Sequence, residues 1–292
     1  MANIYDRQLK RYVVEKPYKE GFLKFLYKTS AGRVSLKLVF AQPWFNKLTA
    51  MYRKSELSKG DIADFIEKYK VNTKDYDLSE MKSFNDFFIR KRDIKLPADS
   101  NKRDLLAIAD AKLSVYDISR SLKLHIKNSD YSLEEIVGNA ELARQFAGGK
   151  CLVYRLTVDD YHRYHYLDSG ILKKNYKIKG ELHTVRPIAS KYKAFSRNTR
   201  EISVLKTDNF GDVVQIEVGA MLIGCIKNHN KGPMFKRLEE KGYFEYGGST
   251  IIILMKDNIK LDRDIEILSK RNLEAKVRIG EKIGELVWHI YD

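Results

Sequence analysis

The stretch Gly247-Gly248-Ser249-Thr250-Ile251-Ile252-Ile253-Leu254-Met255 decides how this chain is read. Its apolar second half has the length and the Ile content of a buried strand. Its first half puts two glycines before a hydroxyl residue, leaving a peptide bond with little side-chain shielding. The chain there can also adopt φ > 0 conformations that other residues avoid. Strained in that way, the bond is open to attack by the Ser249 hydroxyl on the Gly248 carbonyl. Taken alone, the tetrapeptide is more simply an ordinary glycine turn feeding a strand. A second element changes the weight: Asp160-Tyr161-His162-Arg163-Tyr164-His165 places two imidazoles three residues apart. Such a pair is a source of acid–base chemistry, or else half of a metal site.

Together the two elements resemble the phosphatidylserine decarboxylase family, whose members cut themselves at a Gly-Ser bond to make a pyruvoyl group. The resemblance runs through Ser83-Phe84-Asn85-Asp86-Phe87-Phe88-Ile89-Arg90, Ala109-Asp110 and Tyr131-Ser132-Leu133-Glu134. It continues through the two-histidine stretch, Phe195-Ser196-Arg197-Asn198, Val218-Gly219-Ala220 with Gly224, and Gly248-Ser249-Thr250. It therefore covers nearly the whole chain. The departures are small: Gly247 stands where Leu is frequent, Ala111 follows Asp110 where Gly is usual, and no Pro precedes Asp110 or follows His165.

A serine hydroxyl needs a base, and the base needs a carboxylate that fixes its tautomer. The resemblance implies His165 as base, Asp110 as orienter and Ser249 as nucleophile; local sequence does not single out Asp110. It implies cleavage between Gly248 and Ser249, giving residues 1–248 and 249–292. The amide becomes an ester, elimination frees the Gly248 carboxyl, and the dehydroalanine left behind hydrolyses to a pyruvoyl group at position 249. That group is the implied cofactor, with no pyridoxal phosphate and no metal. The substrate amine would form a Schiff base with it, and His162 would protonate the substrate carbon after CO2 leaves. Residues three apart on a strand face opposite sides, so a turn at Asp159-Asp160 is expected to let both imidazoles serve one site. Arg197 and Asn198 read equally as contacts to a substrate phosphate or carboxylate and as loop ties. The other histidines, His125, His183, His229 and His289, show no metal spacing, and zinc at the pair would need two further ligands.

The 292 residues allow one large domain or a core with an appendage. A formal net charge of +15 attracts nucleic acid, acidic proteins or anionic lipid without choosing among them. Cys151 and Cys225 lie in apolar runs and read as buried free thiols, so nothing asks for an oxidising compartment. The start, residues 1–10, lacks an apolar core of the signal-peptide kind. No run approaches the ~18 apolar residues that span a bilayer.

Between Phe22 and Leu48, Phe, Leu and Trp alternate irregularly with Lys24, Lys28, Arg33, Lys37 and Lys47, and Pro43 is expected to end or kink a helix. This segment is either an ordinary packed helix or an interfacial one, with apolar side chains in the acyl boundary and cations at the headgroups. Ser58 to Asp61 and Ser132 to Glu135 suggest capping boxes, the latter opening one helix that Gly148-Gly149 ends. Residues 94–103 read as a linker. Strands are expected over Cys151–Val158, Val213–Val218, Met221–Ile226 and Ser249–Met255, and short ones around glycine turns from Val277 to Gly284. The expected architecture is α+β: a helical, membrane-associating region over 1–93, then a β-rich catalytic domain over 94–292.

The resemblance implies an enzyme that converts phosphatidylserine to phosphatidylethanolamine on an anionic membrane surface, peripherally and at the cytoplasmic face of the cell membrane. It also implies a heterodimer of the two cleavage products, which can pair again into a dimer. One rival is a relative acting on another seryl lipid or a soluble amino acid; the basic apolar segment favours lipid. A second rival is a basic nucleic-acid-binding protein, but no RNP-like pattern, helix-turn-helix or zinc module is present. A third is an uncleaved relative kept for lipid binding.

Overall fold

The computed structural model describes residues 3–15, 19–126, 129–185, 187–221, 225–229, 232–246 and 249–287. The Ser249–Met255 strand stands at the centre of a ten-stranded sheet. It pairs antiparallel with Lys150–Leu156, Ser249 opposite Leu156, and with Gly211–Val218, Thr250 opposite Val218. Outward on one flank come Arg200–Thr207, Gly170–Ile178 and Met234–Phe235. On the other flank come Ala111–Asp117, Glu274–Val277, Asn3–Asp6 and Arg11–Val14. The pairing of Asn3–Asp6 with Glu274–Val277 is parallel.

Period-two alternation splits the central strand between two cores. Ile251, Ile253 and Met255 join Leu113, Leu152 and Val213 on one face; Ile252 and Leu254 join Val153, Val214 and Ile216 on the other. Both faces are covered, which is why the run shows no polar alternation. The second face is roofed by two short helices, Leu133–Val137 and Ala140–Arg144. The first is roofed partly by a three-stranded sheet with the order Ile226–Asn228, Glu240–Phe244, Arg163–His165. The class is α+β, as expected.

The helical part of the N-terminal region begins at Glu20; residues 3–14 form a hairpin on the edge of the main sheet. Its helices are Glu20–Lys28, Ser30–Ser35, a π-helical turn at Leu36–Phe40, Pro43–Lys54, Asp61–Tyr69 and Phe84–Phe88. Ile62, Phe65, Phe84, Phe87 and Phe88 pack together with Val158 and Tyr246, so these helices lie over the chain that flanks Gly247. Leu23, Leu26, Tyr27 and Leu36 pack with Ala189 and Met221.

Several local expectations are corrected. Pro43 opens a helix at its first position, where a missing N–H costs nothing. Neither expected capping box forms. The buried Ser58 hydroxyl donates to the Arg53 and Ser55 carbonyls and accepts from Phe84 N–H, leaving Gly60 as the cap residue. Ser132 precedes its helix but makes no capping bond. That helix stops at Gly138, in the left-handed region at φ 70°, and Asn139 caps a second one by accepting from Leu142 N–H. The capping box that does form is Ser83 with Asp86. Residues 94–103 carry no helix or strand. Of the expected Met221–Ile226 strand, Met221 lies in a turn, 222–224 fall outside the described residues, and pairing starts at Ile226. Cys151 is buried but Cys225 only half so; both are free thiols.

Candidate active site

Ser249 is the first residue of the central strand and has no solvent exposure. Its Oγ makes no hydrogen bond among the described residues. A buried hydroxyl left unpaired costs on the order of 1–3 kcal/mol, so its persistence needs a reason. Gly247 and Gly248, and with them the peptide bond before Ser249, lie outside the described residues. Alternation along the strand turns Ser249 toward the face of Ile251 and Ile253, the core that also contains Tyr164, Leu156 and Phe244.

Opposite Ser249 the chain leaves the sheet at Leu156 and makes the turn expected at Asp159-Asp160. Asp160 N–H bonds the Thr157 carbonyl at 2.9 Å, and the Asp160 carboxylate takes Thr157 N–H and, at 2.6 Å, the buried Lys112 ammonium. The two histidines follow within five residues. His162 is fully buried, its ring centroid 3.9 Å from that of Phe88. Its Nδ1 lies 3.0 Å from the Asp160 carbonyl, and its Nε2 has no partner among the described residues. Burial first, and then the nearby Arg90 cation, push its pKa down to about 3. His165 is also buried, with its main-chain N–H bonded to the Ile108 carbonyl and its Nδ1 without a hydrogen-bond partner among the described residues. Burial lowers its pKa to about 4; Arg92 acts in the same direction, while Glu240, the Ile108 carbonyl and Asp110 oppose it. Both imidazoles are therefore neutral near pH 7, the state in which they accept protons.

Asp110 immediately precedes the Ala111–Asp117 strand. Its carboxylate accepts from Arg92 Nη2 at 2.8 and 2.9 Å and from Ile279 N–H at 2.9 Å, and it makes no hydrogen bond to His165. The Ile108–His165 backbone bond nevertheless holds their two chain segments side by side. Asn198, by contrast, is used up: its side chain donates to the His183 and Gly219 carbonyls and accepts from His183 N–H. Arg197 is exposed at the end of a short helix. Among the described residues no group of three or more His, Cys, Asp or Glu side chains is placed to hold a metal.

The chain matches the family model described as phosphatidylserine decarboxylase over residues 84–285. It is 50% identical over 285 residues to phosphatidylserine decarboxylase proenzyme 2 of Clostridium acetobutylicum, covering 97% of this chain and 98% of that one. The chain belongs to the phosphatidylserine decarboxylase family. Phosphatidylserine decarboxylase proenzymes of Ruminiclostridium cellulolyticum and Clostridium novyi are 40% and 38% identical, covering 98% and 97% of this chain and 98% and 99% of theirs. As a member of this family the chain is a carboxy-lyase.

Sequence reasoning missed the residues that support the site. Phe88 lies against His162, and the Arg53 guanidinium sits 4.7 and 4.6 Å from the rings of Phe84 and Tyr246. Lys54 pairs with Glu245 at 2.8 Å. These contacts tie the N-terminal helices to the strand that leads into Gly247. Nothing in residues 53–54 marks them for that task. Phe88 at least lies within a stretch that carried the family resemblance.

Proposed function

We propose that this chain is a proenzyme that cuts itself between Gly248 and Ser249 and then converts phosphatidylserine to phosphatidylethanolamine and CO2 at a membrane surface. The observation that carries the reading is the buried, unpartnered Ser249 Oγ at the head of a central strand, across from the segment that bears two neutral imidazoles. In the cleavage, the Ser249 Oγ–H passes its proton to His165 as Oγ bonds to the Gly248 carbonyl carbon. The Gly248–Ser249 amide then gives way to an ester. Asp110 would hold the other nitrogen of the His165 ring. Loss of the Ser249 α-hydrogen with cleavage of the Cβ–Oγ ester bond frees the Gly248 carboxylate and leaves a dehydroalanine, which water would hydrolyse to a pyruvoyl group at residue 249 with release of ammonia. Among the described residues Ser249 Oγ and His162 Nε2 are buried without a hydrogen-bond partner, which supports a group built from the chain itself at residue 249.

The pyruvoyl group supplies an electron sink for the bond to the departing carboxylate. This chain's residues supply the protons. His162, neutral at rest, takes one from the substrate ammonium and returns it to the substrate carbon once CO2 has gone. Phe88 packs against its ring and keeps bulk water from competing.

Residues 1–93 are read as the membrane-associating part and 94–292 as the catalytic part. Support comes from the outer side of the N-terminal helices, where Val34, Leu38, Trp44, Leu48, Met51 and Leu57 are all more than half exposed. Lys24, Lys28, Arg33 and Lys37 are exposed beside them. Apolar side chains ringed by cations on short helices fit an interfacial, anionic-lipid-binding surface. No helix of the described residues is long and apolar enough to cross a membrane.

The decisive experiment is intact-mass measurement of the purified chain beside Ser249→Ala, followed by CO2 release from phosphatidylserine vesicles and from free serine. Two fragments divided after residue 248, the second lacking a free amino terminus, are expected from the unmodified chain alone. Release is expected from the lipid and not from serine. An intact chain that releases no CO2 would overturn the reading.

A further inference from the structure

Residues 89–92, the strap that leaves the last N-terminal helix, are stitched onto the two-histidine segment. The Ile89 and Arg90 carbonyls accept from Arg163 Nε at 2.8 and 3.1 Å, and Arg90 Nη2 donates to the Asp160 carbonyl at 3.2 Å. Arg92 N–H donates to the Tyr161 hydroxyl at 3.1 Å, and the Arg92 guanidinium lies 4.7 Å from the Tyr161 ring centroid. From this anchored base, Arg92 Nη2 reaches both oxygens of Asp110, at 2.8 and 2.9 Å. Ile279 N–H bonds Oδ1 from the other side. Oδ1 therefore has two donors and Oδ2 one. Each carboxylate oxygen offers two lone pairs, so Oδ2 keeps one for a further donor. Among the described residues, two buried nitrogens in this neighbourhood lack a hydrogen-bond partner, Nε of Arg92 itself and Nδ1 of His165, and only the second belongs to a side chain not already bound to the carboxylate.

We propose that Arg92 is a positioning residue for self-cleavage: it fixes the Asp110 carboxylate so that Oδ2 is left open to the Nδ1–H of His165. The inference rests on the triad reading above and adds to it the group that aims the carboxylate. The pair is not a solvated surface contact, since the Arg92 and Asp110 side chains are only 22% and 17% exposed. Substrate need not touch Arg92. Its effect passes through Asp110 to the imidazole. The charged groups that act on His165 are Glu240 from the neighbouring strand, Arg92 from the strap, and Asp110 itself. Arg92 disfavours the imidazolium and the two carboxylates favour it. Removing the guanidinium thus moves the proton affinity of His165 upward, while also loosening Asp110.

The test uses the full chain, made by pulsed cell-free translation and transferred to buffers from acid to mildly alkaline pH, with cleavage followed over time. Arg92→Gln is expected to cut on the order of tenfold more slowly, with the acid-side midpoint of the rate raised by about one pH unit. Arg92→Lys is expected to recover the midpoint and part of the rate, because charge returns but the guanidinium plane against the Tyr161 ring, which anchors the Nη2 contact to Asp110, does not. A merely structural role would slow cleavage without moving the midpoint, and that result, or a wild-type rate in Arg92→Gln, would overturn the proposal. Thermal melting of each variant on a Ser249→Ala background reports folding apart from cleavage. If Arg92→Gln does not fold, Arg92→Lys decides: slower cleavage supports the proposal and an unchanged rate overturns it. Asp110→Asn is run in parallel. Normal cleavage there would sink the triad reading itself, whatever the Arg92 variants do.

Discussion

The Ser249–Met255 strand and the helices from Glu20 to Lys54 are both rich in large apolar residues, yet they spend them differently. Every residue of the strand is buried, between two cores. The helices bury Leu23, Leu26, Tyr27 and Leu36 inward and leave Leu38 and Trp44 63% and 53% exposed. A strand in mid-sheet has no outward side, so its apolar run serves the fold alone. A helix at the margin has one, and apolar groups there are free for a second apolar phase. The strand heads the part proposed to react, and the helices form the part proposed to meet lipid. The two are joined, because Arg53, Lys54 and Asn85 hold Tyr246 and Glu245 directly before the glycine pair.

The largest expected effect lies at the head of the strand. Ser249→Ala and His165→Ala should leave the chain essentially uncut, and Asp110→Ala nearly so, as seen by intact mass. Normal cleavage in His165→Ala would break the assignment of that imidazole as the base.

The next effect distinguishes the two histidines. His162→Ala should still mature but lose roughly 10²- to 10⁴-fold in decarboxylation, the usual worth of a positioned proton donor. A variant blocked at maturation would show that the two imidazoles share a role, contrary to their separate surroundings.

On the helical side, Lys24, Lys28, Arg33 and Lys37 changed together to Gln should weaken binding to anionic vesicles, read by sedimentation, by up to about a thousandfold, at roughly 1 kcal/mol per cation near the surface. Added salt should act the same way, and purely zwitterionic vesicles should bind poorly. Leu38→Ser with Trp44→Ser should weaken binding to every vesicle while leaving self-cleavage intact. If cleavage falls too, the outward face is part of the fold and the contrast with the strand dissolves.

The remaining effect is on acid stability. His162 and His165 stay neutral in the folded chain down to about pH 3 and 4, whereas an unfolded histidine titrates near 6.5. Between those values the unfolded chain holds the extra protons. Stability is therefore complete above about pH 6.5 and lost as pH falls, by about 1.4 kcal/mol per pH unit for each proton. Melting curves of Ser249→Ala across this range should show the slope, and Ser249→Ala with His162→Gln should show a shallower one. Equal slopes would mean that His162 is not buried neutral.

The sequence by itself determined the central strand to the residue, the turn between Leu156 and the histidines, and the chemical types at the site. Each is a local matter: side-chain shape sets strand propensity, glycine sets backbone freedom, and a nucleophile and a base are recognisable by type. Tertiary structure decided what those types face. Ser58 matched a helix cap but was taken by the Arg53 and Phe84 backbone, and Asn198, which read equally as a substrate contact and a loop tie, bonds the His183 and Gly219 backbone. Asp110 matched nothing locally, since its partners Arg92 and Ile279 lie 18 and 169 residues away in the chain. Propensity acts over a few residues, whereas hydrogen-bond competition and desolvation act among groups that only the folded chain brings together.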